Sequence, residues 1–201
     1  MTENQFETEL IQYITSGTIT KPEHLDGIGD FMVSEKPSDY VIKTKLWKYE
    51  PNIKTTEQLW NNFKEILENH NQNTLDHPLS VVEFNQVKKI ISDIKTPYEA
   101  GQFLYGLNGV SQIEIDLDDG RHVFLTVFDQ KQIGAGDTVY QVVNQIERPA
   151  IITGKQNRRF DTTLLINGLP IIQIEEKRNT HDINEALNQM HQYIQEKQYS
   201  D

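Results

Sequence analysis

Apolar residues recur at helical spacing along the first hundred positions and mostly at alternate positions along the second hundred, so the chain divides by period. Phe6, Leu10, Ile11 and Ile14 mark one flank of an amphipathic helix over 3–15 that ends at Ser16-Gly17. Over 17–51 the period dissolves among glycines, prolines and scattered aromatics, a stretch longer than an ordinary loop. Leu59, Phe63, Ile66 and Leu67 then share a helical face behind the cap candidates Thr55 and Thr56. A capping box, Ser80-Val-Val-Glu83, opens a third helix carrying Val87, Ile90, Ile91 and Ile94. Thr96-Pro97-Tyr98-Glu99 repeats the device with proline at the first helical position, and Gly106 closes that helix.

After Gly109 the period falls to two. Ile113, Ile115 and Leu117 alternate with polar residues, Asp119-Gly120 turns, and Val123, Leu125 and Val127 return, which predicts a hairpin. Strands follow over 139–146, 160–166 and 171–176, the last two joined at Asn167-Gly168, and a helix starts near Asp182, capped against Glu185. Helices, then strands, then a closing helix predict an α/β fold in which a mixed central sheet is flanked by helices. No internal repeat or low-complexity tract interrupts this order. At 201 residues the chain has room for one domain, mainly helical and irregular over 1–108 and carrying the sheet over 109–201.

Composition narrows the class. Hydrophobic residues at 36% and charged residues at 24% are those of a globular protein, and no run approaches a membrane span. Acids and amides near the start do not make a secretory signal, and the lack of cysteine points to a reducing cytoplasm. The net charge of -11 means that a partner with many phosphates would have to be held largely by other domains. The histidines have no zinc-ligand spacing, Gly154-Lys155 lacks the rest of a phosphate loop, and Gly134-Ala135-Gly136 falls short of a dinucleotide site.

Three charges stand inside apolar strand patterns: Asp161, Glu175 and Lys177. Residues two apart in a strand share a face, so Glu175 and Lys177 project together. A strict two-residue turn at Asn167-Gly168 would place Asp161 opposite Ile174 and on the wrong face. A three-residue loop of Ile166, Asn167 and Gly168 would pair Leu165 with Leu169 and Asp161 with Gln173, reuniting the three charges; a nearby bulge would serve the same end. Two hard carboxylates suit Mg2+, which keeps several positions for water and phosphate, and an ammonium beside them suits phosphodiester hydrolysis. Standing alone, the three charges would read equally well as an ion-pair cluster at strand ends.

The run Arg159-Phe-Asp161-Thr-Thr-Leu-Leu-Ile-Asn-Gly-Leu-Pro-Ile-Ile-Gln-Ile-Glu175-Glu-Lys177 closely resembles the nuclease motif at the N-terminus of type I restriction R subunits, a PD-(D/E)XK nuclease. Gln189-Met-His-Gln-Tyr193 matches the Gln-x-x-x-Tyr motif shared with recombination nucleases, and Val142-Val143-Asn144-Gln145 is also similar. The likeness is dense over 137–195 and loose elsewhere. It departs in two places, with Phe160 where the motif name has proline and a second acid, Glu176, at the variable position.

The resemblance implies Asp161, Glu175 and Lys177 as catalytic residues and Asp161 with Glu175 as Mg2+ ligands. Glu7, with Glu9 as the alternative, would be a further ligand from the first helix. Gln189 and Tyr193, four apart on one helical flank beside the stripe Ile183, Leu187, Met190 and Ile194, would position DNA or metal. It further implies duplex DNA as substrate, ATP used only by motor domains outside this chain, and methylation and specificity subunits as partners. The chain would then be an N-terminal piece, lacking the last sheet strands. Two other readings are a non-catalytic assembly or gating module with the same fold, and a free-standing recombination-type nuclease.

Overall fold

A computed structural model describes residues 3–16, 46–133, 136–175 and 183–196. The stretch 17–45, Glu176, Lys177 and the cap at Asp182 lie outside them. The described residues form a mixed α/β structure. Its helices are α1 (Glu3–Ser16), α2 (Thr56–His70), α3 (Val81–Ser92), α4 (Pro97–Tyr105) and α5 (Ile183–Gln195). Its strands are β1 (Trp47–Tyr49), β2 (Val110–Asp116), β3 (His122–Asp129), β4 (Tyr140–Arg148), β5 (Arg158–Ile166) and β6 (Leu169–Ile174). None of the described helices is long and apolar enough to cross a membrane.

The three helices between β1 and β2 begin where local chemistry sets them. Thr55 with Gln58, Ser80 with Glu83, and Thr96 with Glu99 each make a complete capping box, satisfying backbone N–H groups that a helix start leaves over. Glu83 does more than cap. Its side chain is fully buried, one oxygen accepts from the Ser80 backbone N–H at 2.7 Å and the other from Asp118 N–H at 2.8 Å, so α3 is tied to the β2–β3 turn. Burial alone would raise the Glu83 carboxyl, but these backbone donors and His77 hold it below the usual range. Its contribution to stability is therefore present above the ordinary glutamate pKa and lost as the pH falls through the lowered value. Glu83→Ala leaves two backbone donors buried without that acceptor and should cost about 2–3 kcal/mol. Melts of the two forms at neutral pH check the loss, and the gap should narrow in acid.

Strand order in the main sheet is β1-β4-β5-β6, with β1 parallel to β4 and the other pairs antiparallel. Two sequence expectations change here. The β2–β3 hairpin does not join this sheet but forms its own two-stranded sheet, packed with α2 and α3 through Phe63, Leu67, Phe84, Val87, Ile115 and Leu125. The fourth strand of the main sheet comes instead from Trp47–Tyr49, inside the stretch that the pattern left irregular.

Consecutive residues of β4 divide the remaining core. Val142 packs with Ile11 of α1 and Leu164, whereas Val143 packs with Ile146, Phe160, Leu165 and Tyr193 of α5. Helices α1 and α5 thus cover opposite faces, as the alternation of a strand requires.

The β5–β6 turn locks one end of this sheet. Asn167 and Gly168 both have positive φ, +50° and +78°. The buried Asn167 side chain donates to Val127 O at 2.9 Å and accepts from Val139 N–H at 2.9 Å, joining the hairpin to the start of β4.

Candidate active site

At the opposite end of β5 and β6 the register decides which charges meet. The turn is a two-residue one, with Ile166 paired to Leu169 and Leu165 to Pro170, so the three-residue loop is not formed. One step later the pairing shifts: Leu164 faces Ile172, Thr163 faces Gln173 and Thr162 faces Ile174, leaving Ile171 as the extra residue of a bulge. Pro170 has no N–H to give the ladder, so an irregular pairing beside it is physically natural. Continued one step, the shifted register sets Asp161 across from Glu175 instead of Gln173. Asp161, Thr163, Gln173 and Glu175 then share one face, with Thr163 donating to Gln173 Oε1 at 2.6 Å.

Helix α5 closes over this face. Gln189 donates to Glu175 Oε1 and, at 2.5 Å, to the Tyr193 hydroxyl. Burial raises the Tyr193 phenol; the Gln189 hydrogen bond opposes this, while the negative charges of Glu175 and Asp161 add to it. Both carboxylates therefore act on the same hydroxyl, and Tyr193 stays protonated at neutral pH. The structure brings together Glu175, Gln189 and Tyr193, with the Asp161 charge near enough to act on the Tyr193 hydroxyl.

The helix sits rotated from the orientation its apolar stripe predicts. Tyr193 and Glu196 are each 3% exposed, whereas Leu187 and Ile194 are 49% and 58% exposed. Specific contacts outweigh the stripe. Arg158 holds Glu196 through two hydrogen bonds of 2.7 and 2.6 Å, its guanidinium lies 5.1 Å from the Tyr193 ring, and Phe160 meets that ring edge-on at 5.5 Å. Arg158 holds the Glu196 carboxyl below its ordinary range, so the pair stabilises the fold above that range and ceases to as Glu196 protonates. Arg158→Met should lower the melting temperature at neutral pH, with a smaller difference in acid; equal melts at neutral pH would contradict this anchor.

On the other face α1 brings Glu7 to β4. Glu7 is 7% exposed, and its Oε1 accepts from Asn144 Nδ2 at 3.0 Å and Gln145 Nε2 at 2.7 Å. The Asn144 Oδ1 in turn accepts from the Tyr49 hydroxyl at 2.8 Å and from Lys54 Nζ at 2.5 Å, and Lys54 also donates to the Asn144 backbone oxygen. Burial lowers the Lys54 amine, with Glu7 opposing; burial raises the Tyr49 phenol, with Glu7 adding to it. Two adjacent amides can reach one carboxylate because Gln145 has φ +56°, which breaks the alternation of β4. A glutamine there costs about 1–2 kcal/mol of backbone strain. Consecutive amides in an apolar strand, Val142-Val143-Asn144-Gln145, were the signal available in the sequence; Tyr49 and Lys54 carried none.

Among the described residues no group of three histidine, aspartate or glutamate side chains could hold a metal ion, so Glu7 does not close a three-carboxylate set with Asp161 and Glu175. The pair itself still fits Mg2+, which is bound through one or two carboxylates and otherwise by water and phosphate. Inward of the pair, Thr163 and Gln173 border a largely apolar cavity of about 360 Å³ that also touches Trp60, Phe63 and Phe160, a lining with no further acid.

Residues 35–200 match the family model described as the type I restriction enzyme R protein N terminus. The chain belongs to this family. The chain is also similar to endonuclease subunits of type I restriction enzymes. The SauMSSORF170P subunit of Staphylococcus aureus is 34% identical over 142 residues, 70% of this chain and 14% of that protein. The SsaAORF53P subunit of Staphylococcus saprophyticus is 31% identical over 164 residues, 78% of this chain and 16% of that protein. The EcoprrI subunit of Escherichia coli is 40% identical over 79 residues, 39% of this chain and 23% of that protein. The chain therefore spans only a small part of the length of these endonuclease-subunit relatives. The family match includes Asp161, Glu175, Lys177, Gln189 and Tyr193 and begins after Glu7.

Proposed function

We propose that this chain is the nuclease module of a type I restriction R subunit, a PD-(D/E)XK-type endonuclease that hydrolyses phosphodiester bonds of duplex DNA with Mg2+. The observation that carries the reading is the shifted β5–β6 register. Continued one step past Thr162↔Ile174, it would set Asp161 across from Glu175 beside Gln189 and Tyr193, in a chain whose relatives are named endonuclease subunits.

Asp161 and Glu175 would hold the cation, and Gln189 fixes the Glu175 carboxylate by a charge-assisted hydrogen bond. Bound there, Mg2+ would polarise the phosphoryl group and lower the pKa of a water. Lys177, two residues past Glu175, would orient the attacking water and steady the charge growing on the phosphate oxygens. Tyr193, kept neutral, is a hydrogen-bond donor suited to a phosphate oxygen. Water attacks phosphorus in line as the bond to the departing oxygen breaks, and that oxygen leaves with a proton.

The net charge of -11 gives the chain little hold on DNA of its own, so delivery falls to an ATP-driven motor elsewhere in the full-length subunit. Methylation and specificity subunits would choose the target. A non-catalytic gating module with the same fold is the second reading, favoured by the lack of a three-carboxylate group among the described residues.

The two readings part in one experiment. Duplex plasmid is incubated with the chain within its assembled restriction enzyme, with Mg2+ or with EDTA, as wild type and as Glu175→Ala. Cutting that needs Mg2+ and disappears in the variant is expected. Equal cutting by both forms, or none by wild type, would leave the gating module.

A further inference from the structure

The stretch that joins β4 to β5 departs from the charge of the rest of the chain. Four of the chain's 19 lysines and arginines, Arg148, Lys155, Arg158 and Arg159, fall within 148–159, and none of its 30 acids does. The last rungs of the two strands pair Glu147 with Arg159 and Arg148 with Arg158, so two cations stand directly opposite each other, which costs stability unless an anion lies near. Glu196 supplies one such anion: it accepts both hydrogen bonds from Arg158 and lies 3.7 Å from Lys155. Arg159 is exposed and makes no ion pair with the described residues.

The loop between the strands is held by its own hydrogen bonds. Asn157 Oδ1 accepts from Ala150 N–H at 3.1 Å and closes its base, and Ile152 O accepts from Lys155 N–H at 3.1 Å and closes its tip around Gly154, which has φ +85°. Ile151 and Ile152 are exposed beside the cations, and apolar groups next to positive ones suit a strand of alternating sugar and phosphate. Position matters as much as charge. Arg159 stands two residues before Asp161 in β5, about 7 Å along the strand, and Arg148 borders the same cavity as Thr163 and Gln173. The loop therefore flanks the end of the sheet that carries Asp161 and Glu175. Acids that attract a metal ion repel the phosphates of DNA, and fixed cations beside them counter that repulsion where the chain's net charge of -11 does not.

We propose that the β4–β5 loop, through Arg148, Lys155 and Arg159, is a binding site for the phosphate backbone of duplex DNA and holds the strand against the end of the sheet where Asp161 and Glu175 lie. The inference rests on the nuclease reading above and names the part of the chain that touches the substrate. Lys155 acts from the tip of the loop, Arg159 from its base and Arg148 from the side of the cavity, whereas Arg158 stays committed to Glu196. An acidic protein surface is the competing partner for such a loop.

The test is fluorescence anisotropy of a short labelled duplex titrated with the full chain at several KCl concentrations, in EDTA so that neither cutting nor a metal bridge contributes. Each phosphate contact adds close to one unit to the slope of log K against log salt. Lys155→Gln and Arg159→Gln should each lower that slope by about one, and the double variant should bind about tenfold or more weakly at low salt while melting close to the wild-type temperature. Should the double variant melt early, Arg159→Gln alone carries the test, since it leaves the partners of Glu196 in place. Wild-type affinity and slope in the folded variants, or no binding by the wild-type chain at the lowest salt, would overturn the loop's role; cutting by Glu175→Ala in the assembled restriction enzyme, measured in parallel, shows whether the nuclease reading still stands. Unchanged DNA binding with failure to assemble into that enzyme would overturn the role in favour of an acidic protein surface. Weakened binding by the loop variants together with full cutting by Glu175→Ala would keep the phosphate site and sink the nuclease reading alone.

Discussion

Replacing Asp161 by asparagine should slow Mg2+-dependent cleavage of duplex DNA by on the order of a thousandfold, about 4 kcal/mol of transition-state stabilisation, without destabilising the fold. The two parts of this expectation have one cause. Asp161 and Glu175 are like charges one step beyond the last paired rung of β5 and β6, an arrangement that costs stability unless a cation offsets it. Asparagine keeps the shape and removes the repulsion between the two acids, so the metal-free variant should remain folded. Mg2+ should raise the melting temperature of the wild type and leave that of the variant unchanged, since only a form that binds the ion gains from it. Single-turnover cleavage and melts with and without Mg2+ check both halves. A variant that is slow because it is unfolded would contradict the account.

The second large effect falls at the far end of the same strands. Gly168→Ala should destabilise the fold by about 2–4 kcal/mol, a fall of roughly 10 °C in melting temperature. Gly168 has φ +78°, and a Cβ there would stand 2.8 Å from the Phe63 Cα, so both its own backbone and that of α2 resist the change. Asn167 beside it ties the turn to β3 and β4. The turn lies five residues along β5 and six along β6 from the acids, about 17 Å, so cleavage per folded molecule at low temperature should change little. Stability and chemistry sit at opposite ends of one hairpin, and a calorimetric scan with a cleavage assay on the same sample separates them.

What could be read in advance follows the range of the interactions. Helices α3 and α4 are announced by capping boxes that close within four residues, α2 by cap candidates ahead of its apolar face, and the β2–β3 hairpin by strict alternation around Asp119-Gly120. Strand β1 is three residues long and owes its state to β4, with Trp47 paired to Tyr140, so no local pattern could reveal it. The separate two-stranded sheet was equally out of reach, because alternation shows that a strand has one buried face and not which sheet it joins.

Around the candidate site the parity of Asp161 and Glu175 required one extra residue between them. The sequence could not say whether it lay in the loop or in the strand, and the bulge at Ile171 beside Pro170 supplies it. The spacing of Gln189 and Tyr193 placed them on one flank of α5. The apolar stripe nevertheless misjudged the helix's rotation, because the Arg158–Glu196 pair spans 38 residues and leaves no periodic trace. The kink at Gln145 was invisible for a related reason: positive φ in a strand is imposed on a glutamine by its partners and is not a preference of the residue.

The central claim is that Asp161 and Glu175 jointly hold a divalent cation, and anomalous diffraction from crystals of this chain soaked in Mn2+ tests it most directly. A peak between the two carboxylates, about 2.1 Å from an oxygen of each, is the predicted result. An ordered site with both side chains in place and no peak between them, or a peak held by other residues, would contradict it.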